Sequence, residues 1–129
     1  MKSKNREPGH FVKNHNGLIH VFDPVYKVNV YACVGNKDKA FGLFKKYLRH
    51  EFDLGGERCR GKFFSLRFQD QTVGVVWSRD FLIPLIHECL HATFWVMDYR
   101  GVELDEKSEE AFTYYHSFLF DSIKSSYAK

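Results

Sequence analysis

The apolar positions change period several times along the chain, and each change marks an element. Leu18–Phe22 alternates toward a short strand, and Asp23-Pro24 reads as a turn. Tyr26–Val34 begins by alternating and ends apolar, which predicts the partner strand of a β-hairpin. After Asn36 or Asp38 as cap, Phe41, Phe44, Tyr47 and Leu48 recur at spacings of three and four, predicting a helix to about Phe52. Asp53–Gly61 is a glycine-rich loop, and Lys62–Gln69 and Thr72–Ser78 follow as strands joined by a tight turn at Asp70-Gln71. From Phe81 to Tyr99 the pattern is helical, with Arg79-Asp80 to cap it, Pro84 tolerated in its first turn and Gly101 to stop it. A last helix starts between Asp105 and Ser108 and runs to about Ser125. The order ββαββαα predicts an α+β domain.

Residues 1–17 are polar and carry one Pro and two Gly, so they read as a flexible lead-in to a single domain over 18–129. A length of 129 residues suits one core, since cores divide only beyond roughly 250. With 44% hydrophobic and 17% aromatic residues and no repetitive block, collagen-like, coiled-coil and disordered classes are excluded. Phe81–Met97 is the longest nearly uncharged stretch. Pro84, His87, Glu88 and His91 interrupt it, so neither a membrane span nor a signal segment is expected. Cys33, Cys59 and Cys89 form no CxxC pair and predict packed thiols in a reducing compartment, the cytoplasm. A net charge of +3 is too small to imply nucleic acid.

The chemistry concentrates in His87-Glu88-Cys89-Leu90-His91, an HExxH motif inside the predicted helix. At about 100° per residue the two histidines lie roughly 40° apart on one face, where both imidazoles can reach one ion. Glu88 lies about 60° from His91, beside the ion rather than on it, as a general base and then acid must. Cys89 points away and reads as packing. A metzincin site needs Gly and His three and six residues after His91, where Phe94 and Met97 stand, so that class is excluded.

Asp98, Asp105, Glu109, Glu110 and His116 remain as third ligands. A tight helical hairpin after Gly101 brings His116 level with the motif. An extended return through Val102–Lys107 instead delivers a helix start, with Ser108 as cap and Glu109 and Glu110 in its first turn.

HECLH followed by SEEAFTYY resembles the gluzincin arrangement, HExxH with a Glu on the next helix. The stretch from about Tyr26 to Ile123 is similar to small zincins encoded by bacteriophages. That resemblance implies a minimal zincin-like domain, a small sheet on an HExxH helix followed by a Glu-bearing helix. It selects Glu110 over Glu109 through the pattern Ser108, Glu110, Ala111, Tyr114. It further implies Zn²⁺ on His87, His91 and Glu110, and Glu88 in catalysis of peptide-bond hydrolysis, in the host cytoplasm if the chain is phage-encoded. A peptide or protein is then the expected partner, with membrane excluded. Larger gluzincins add a second lobe and a marked transition-state donor. No such lobe is recognisable here, and Tyr114, Tyr115 and His116 are the nearest donors.

The resemblance also implies that Val73–Trp77, just before the motif helix, is an edge strand pairing with extended substrate. Arg58, Arg60, Lys62 and Arg67 read as a solvated basic face, and Phe63, Phe64 and Phe68 as core rather than stacking platforms. His10, His15, His20 and His50 lack ligand spacing. Asp98 shares the histidine face and is a candidate to orient an imidazole.

Overall fold

A computed structural model describes residues 11–127. Its elements are β1 (Phe11–His15), β2 (Leu18–Asp23), β3 (Val28–Val34), α1 (Lys37–Leu48), β4 (Gly61–Phe68), β5 (Gln71–Ser78), α2 (Ile83–Tyr99) and α3 (Glu109–Tyr127). The α+β expectation holds, with one more strand than the pattern suggested. The lead-in is corrected over its described part, because Phe11–His15 pairs antiparallel with Leu18–Phe22. The two residues between His15 and Leu18 are Asn16 and Gly17, both at positive φ (57° and 105°), the combination that two-residue hairpins favour.

The described residues form one mixed five-stranded sheet in the order β1-β2-β3-β5-β4. β3 and β5 run parallel, and the other neighbours are antiparallel. β5 is therefore an inner strand, buried from Val73 to Ser78, which explains its unbroken apolar run. The expectation that Val73–Trp77 forms an edge is overturned by that pairing. The edge beside the motif helix is β4, joined to β5 by a turn at Gln69-Asp70, one residue earlier than expected.

α2 and α3 cover one sheet face around Val30, Val76, Cys89, Val96, Tyr115 and Leu119. On the other face α1 packs over Leu18, Cys33, Val75 and Trp77. Asn36 caps α1 by accepting from the Lys39 N–H at 2.8 Å, and the left-handed Arg49 (φ 58°) ends it before Phe52. Trp77 is wholly buried, and its Nε1–H donates to the Gly35 carbonyl at 2.8 Å, so its one polar atom is satisfied.

The chain reverses sharply after α2. Gly101 (φ 75°) donates to Asp98 O at 3.0 Å and Val102 to Met97 O at 2.8 Å, a Schellman closure. α3 then runs back antiparallel along α2, since Phe112 meets Phe94 while His116 meets Ile86. The extended return through Val102–Lys107 is thus corrected. The closure turns the chain at once and starts α3 beside the end of α2, not beside the motif.

Candidate functional site

α2 begins one turn after β5. The N-cap position is Leu82, two residues after the expected Asp80, and it has no side-chain cap; the Asp80 carboxylate instead accepts the Leu82 N–H at 2.9 Å, and Pro84 stands in the first turn. The apolar residues Leu85, Cys89, Ala92 and Val96 fix the inner face of the helix. That placement turns His87 and His91 outward, where both are exposed, and Glu88 sideways toward β4, where it is 7% exposed.

The two Nε2 atoms lie 3.1 Å apart, with the rings at 80° to each other. Two imidazoles at 2.0–2.1 Å from a tetrahedral ion have nitrogens about 3.3 Å apart, so the separation of this pair is close to that of two ligands on one zinc. Burial pushes the Glu88 carboxyl above its ordinary value, and His87, His91 and Lys62 pull in the opposite direction. The carboxyl thus sits in a poorly solvated position beside two imidazoles and Lys62, an environment that suits a proton carrier.

Between α2 and the start of β4 an open cleft of about 300 Å³ is lined by Cys59, Gly61, Lys62, Phe63, Glu88 and His91. Gly61 has a specific part in it. A β-carbon there would lie 2.9 Å from Glu88 Cγ and 3.1 Å from Glu88 Oε2, so only glycine leaves the carboxylate its space. Cys59 donates to the Gly61 carbonyl at 3.1 Å. Sequence reasoning passed over Gly61 and Cys59; the glycine that closes the loop before a strand was the available signal.

His87, Glu88 and His91 are brought together, and Glu110 is not brought to them. Glu110 is exposed in the first turn of α3, about 140° or more around the helix from the buried Phe112, Tyr115 and Leu119. Among the described residues no group of three His, Cys, Asp or Glu side chains is arranged to hold a metal. Glu109 is also exposed and lies about 20° from His116 on the helix surface. His116 itself uses Nε2–H to donate to the Ile86 carbonyl at 3.1 Å, one residue from His87. Asp98 is exposed, makes no hydrogen bond to either imidazole, and instead lines a groove with Phe94 and Phe112.

Of the three donor candidates, Tyr115 is removed. It is wholly buried in the core against Tyr26, and its hydroxyl has no partner among the described residues. Tyr114 is exposed and stacks on Phe118. Cys89 packs in the core as expected, its thiol pushed up to about 12 by burial. Phe63 meets Trp95, Phe64 meets Phe52 and Phe68 meets Tyr31, all packing roles, while Arg58, Arg60 and Arg67 are exposed. His15 lies beside Tyr47, His20 bonds Asn29 and His50 lies against Phe52, away from the motif; His10 lies outside the described residues. Among the described residues no helix is long and apolar enough to cross a membrane.

Comparison of the chain with protein-family models, curated proteins and solved structures finds no match.

Proposed function

We propose that the protein is a zinc-dependent peptidase with a minimal zincin-like domain of gluzincin type. One observation carries the reading. Two imidazole nitrogens stand 3.1 Å apart on an exposed helix face, with a desolvated carboxylate beside them and a strand edge across the cleft. A bound zinc supplies Lewis acidity that polarises a scissile carbonyl and acidifies water. The chain's own residues do the rest. His87 and His91 would hold the ion through Nε2, and Glu88 would take a proton from the attacking water and deliver it to the leaving amine nitrogen. β4 offers unpaired backbone groups along which an extended peptide aligns, and Phe63 supplies an apolar wall.

Glu110 is the third ligand in this reading, on the strength of its motif. It reaches the pair only if metal binding rearranges the start of α3. A second reading, a zinc-stabilised binding module without turnover, draws on the same lack of an assembled third ligand.

The test combines elemental analysis with turnover of a diverse peptide library. One zinc per chain is expected, lost in His87→Ala and in His91→Ala. Glu88→Gln retains zinc and loses hydrolysis by about 10²–10⁴-fold, the usual worth of a positioned acid–base group. A zinc-loaded wild type that cleaves nothing in the library establishes the binding module instead.

A further inference from the structure

The reversal between α2 and α3 leaves a groove of about 450 Å³ that the proposed chemistry does not use. It is lined by the apolar Phe94, Val102, Leu104 and Phe112 and by the exposed carboxylates Asp98 and Glu103. Phe94 is 44% and Leu104 57% exposed, a high exposure for two large apolar side chains beside one cavity. The charge around it is one-sided. From Asp98 to Glu110 there are six carboxylates against Arg100 and Lys107, in a chain whose net charge is +3. Arg100 is already engaged, donating to the carbonyls of Tyr26 at 2.6 Å and Lys27 at 2.9 Å. Among the described residues neither Asp98 nor Glu103 has an ion-pair partner.

The groove is in line with the motif. Phe94 lies about 4.5 Å and Asp98 about 10.5 Å beyond His91 along the helix axis, and Asp98 projects within about 20° of His91. An extended chain advances about 3.3 Å per residue, so these distances correspond to roughly one and three residues from a bond held at the histidines.

We propose that this groove is a recognition subsite for a peptide carrying a large apolar residue next to the reacting bond and a basic residue about two positions further on. The inference rests on the peptidase reading for the position of the bond, while the binding itself needs only the groove. The apolar side chain enters between Phe94, Leu104 and Phe112. The guanidinium or ammonium group meets Asp98 and Glu103, where two unpaired carboxylates give charge-assisted hydrogen bonds. Apolar walls with a cationic anchor give direction as well as affinity, because like-charged peptides are repelled by the same carboxylates.

The experiment uses the full chain as zinc-loaded Glu88→Gln and fluorescein-labelled alanine-flanked peptides with Phe-Ala-Arg or Arg-Ala-Phe cores. Counterparts carry glutamate in place of arginine. By fluorescence anisotropy an arginine peptide binds, and Asp98→Lys with Glu103→Lys weakens it about tenfold or more, equivalent to about 1.4 kcal/mol. The same reversal strengthens binding of the glutamate peptide, which a misfolded variant does not do. Equal affinity for arginine and glutamate peptides, or an unchanged affinity after reversal, overturns the proposal. Cleavage by wild type is read separately. Arginine peptides that bind selectively but are never cut leave the groove standing and remove the peptidase reading; peptides cut at equal rates whatever their charge do the reverse.

Discussion

Gly61 stands where β4 begins, and the side chain it lacks leaves the space that Glu88 occupies. Its φ is not in the left-handed region, so alanine is compatible with the backbone, and the cost falls on contacts with Glu88 and the Trp77 carbonyl, 3.0 Å away. Gly61→Ala is expected to lower unfolding free energy by about 1–3 kcal/mol, the range for forced overpacking. Urea unfolding in a double-mutant cycle with Glu88→Ala should show much of that cost relieved. An equal cost in both backgrounds assigns the effect to Trp77 and frees Glu88 from dependence on Gly61. A second residue gives a pH signature far from the site. Burial lowers the His20 pKa below 6.5, with the Asn29 hydrogen bond at 2.7 Å opposing and nearby His15 and Lys13 contributing in the same direction as burial. A depressed histidine makes the unfolded chain bind more protons. Its contribution is therefore full above pH 6.5 and is lost as pH falls through the lower folded value. Melting temperatures of His20→Gln should vary less than wild type between pH 8 and pH 5, and parallel curves for the two proteins refute this origin.

At the scale of elements, the helix reversal governs which residue could serve as the proposed third ligand. Glu110→Ala is expected to weaken zinc binding, by at least about tenfold in competition with a chelator, while Glu109→Ala has little effect. If His116→Ala is the damaging change, α3 coordinates through the side that already meets Ile86, and the gluzincin assignment falls. This is also where legibility in the sequence ended. The spacing of Leu85, Cys89, Ala92 and Val96 made α2 readable, and with it the shared face of His87 and His91. Whether α3 returned beside the motif or beside the end of α2 depended on one closure at Gly101 and Val102, which residue periodicity does not encode. The same limit applied to the sheet. A run such as TVGVVWS says that both faces of β5 are buried, but which strand lies outside it is a matter of pairing order. β1 is different, because its Asn16-Gly17 turn was written in the sequence; the polar composition of residues 1–17 obscured it. Glu88 was legible as a neighbour of the histidine pair, whereas the space that Gly61 gives it arises from a contact between α2 and β4.

For the whole molecule, the arrangement of cores decides what removal of the proposed zinc would do. Among the described residues, sixteen buried ones pack between the sheet and the α2–α3 pair, and ten more pack beneath α1. His87 and His91 belong to neither group and stand exposed on the outer face of α2. An ion held there, as proposed, would add binding energy to a fold that already has its cores, unlike small zinc domains that are unfolded without metal. Chelation is expected to leave far-UV circular dichroism unchanged at 25 °C while lowering the melting temperature. With free zinc at about a hundred times its dissociation constant, linkage contributes about 2.7 kcal/mol, a shift of roughly 10 °C for a chain of this size. His87→Ala should melt at the chelated temperature with or without zinc, which separates loss of the ion from any direct effect of the chelator. A chelated wild type that loses its helical signal would make the metal part of the fold itself, and would move the balance from an enzyme toward a zinc-stabilised binding module.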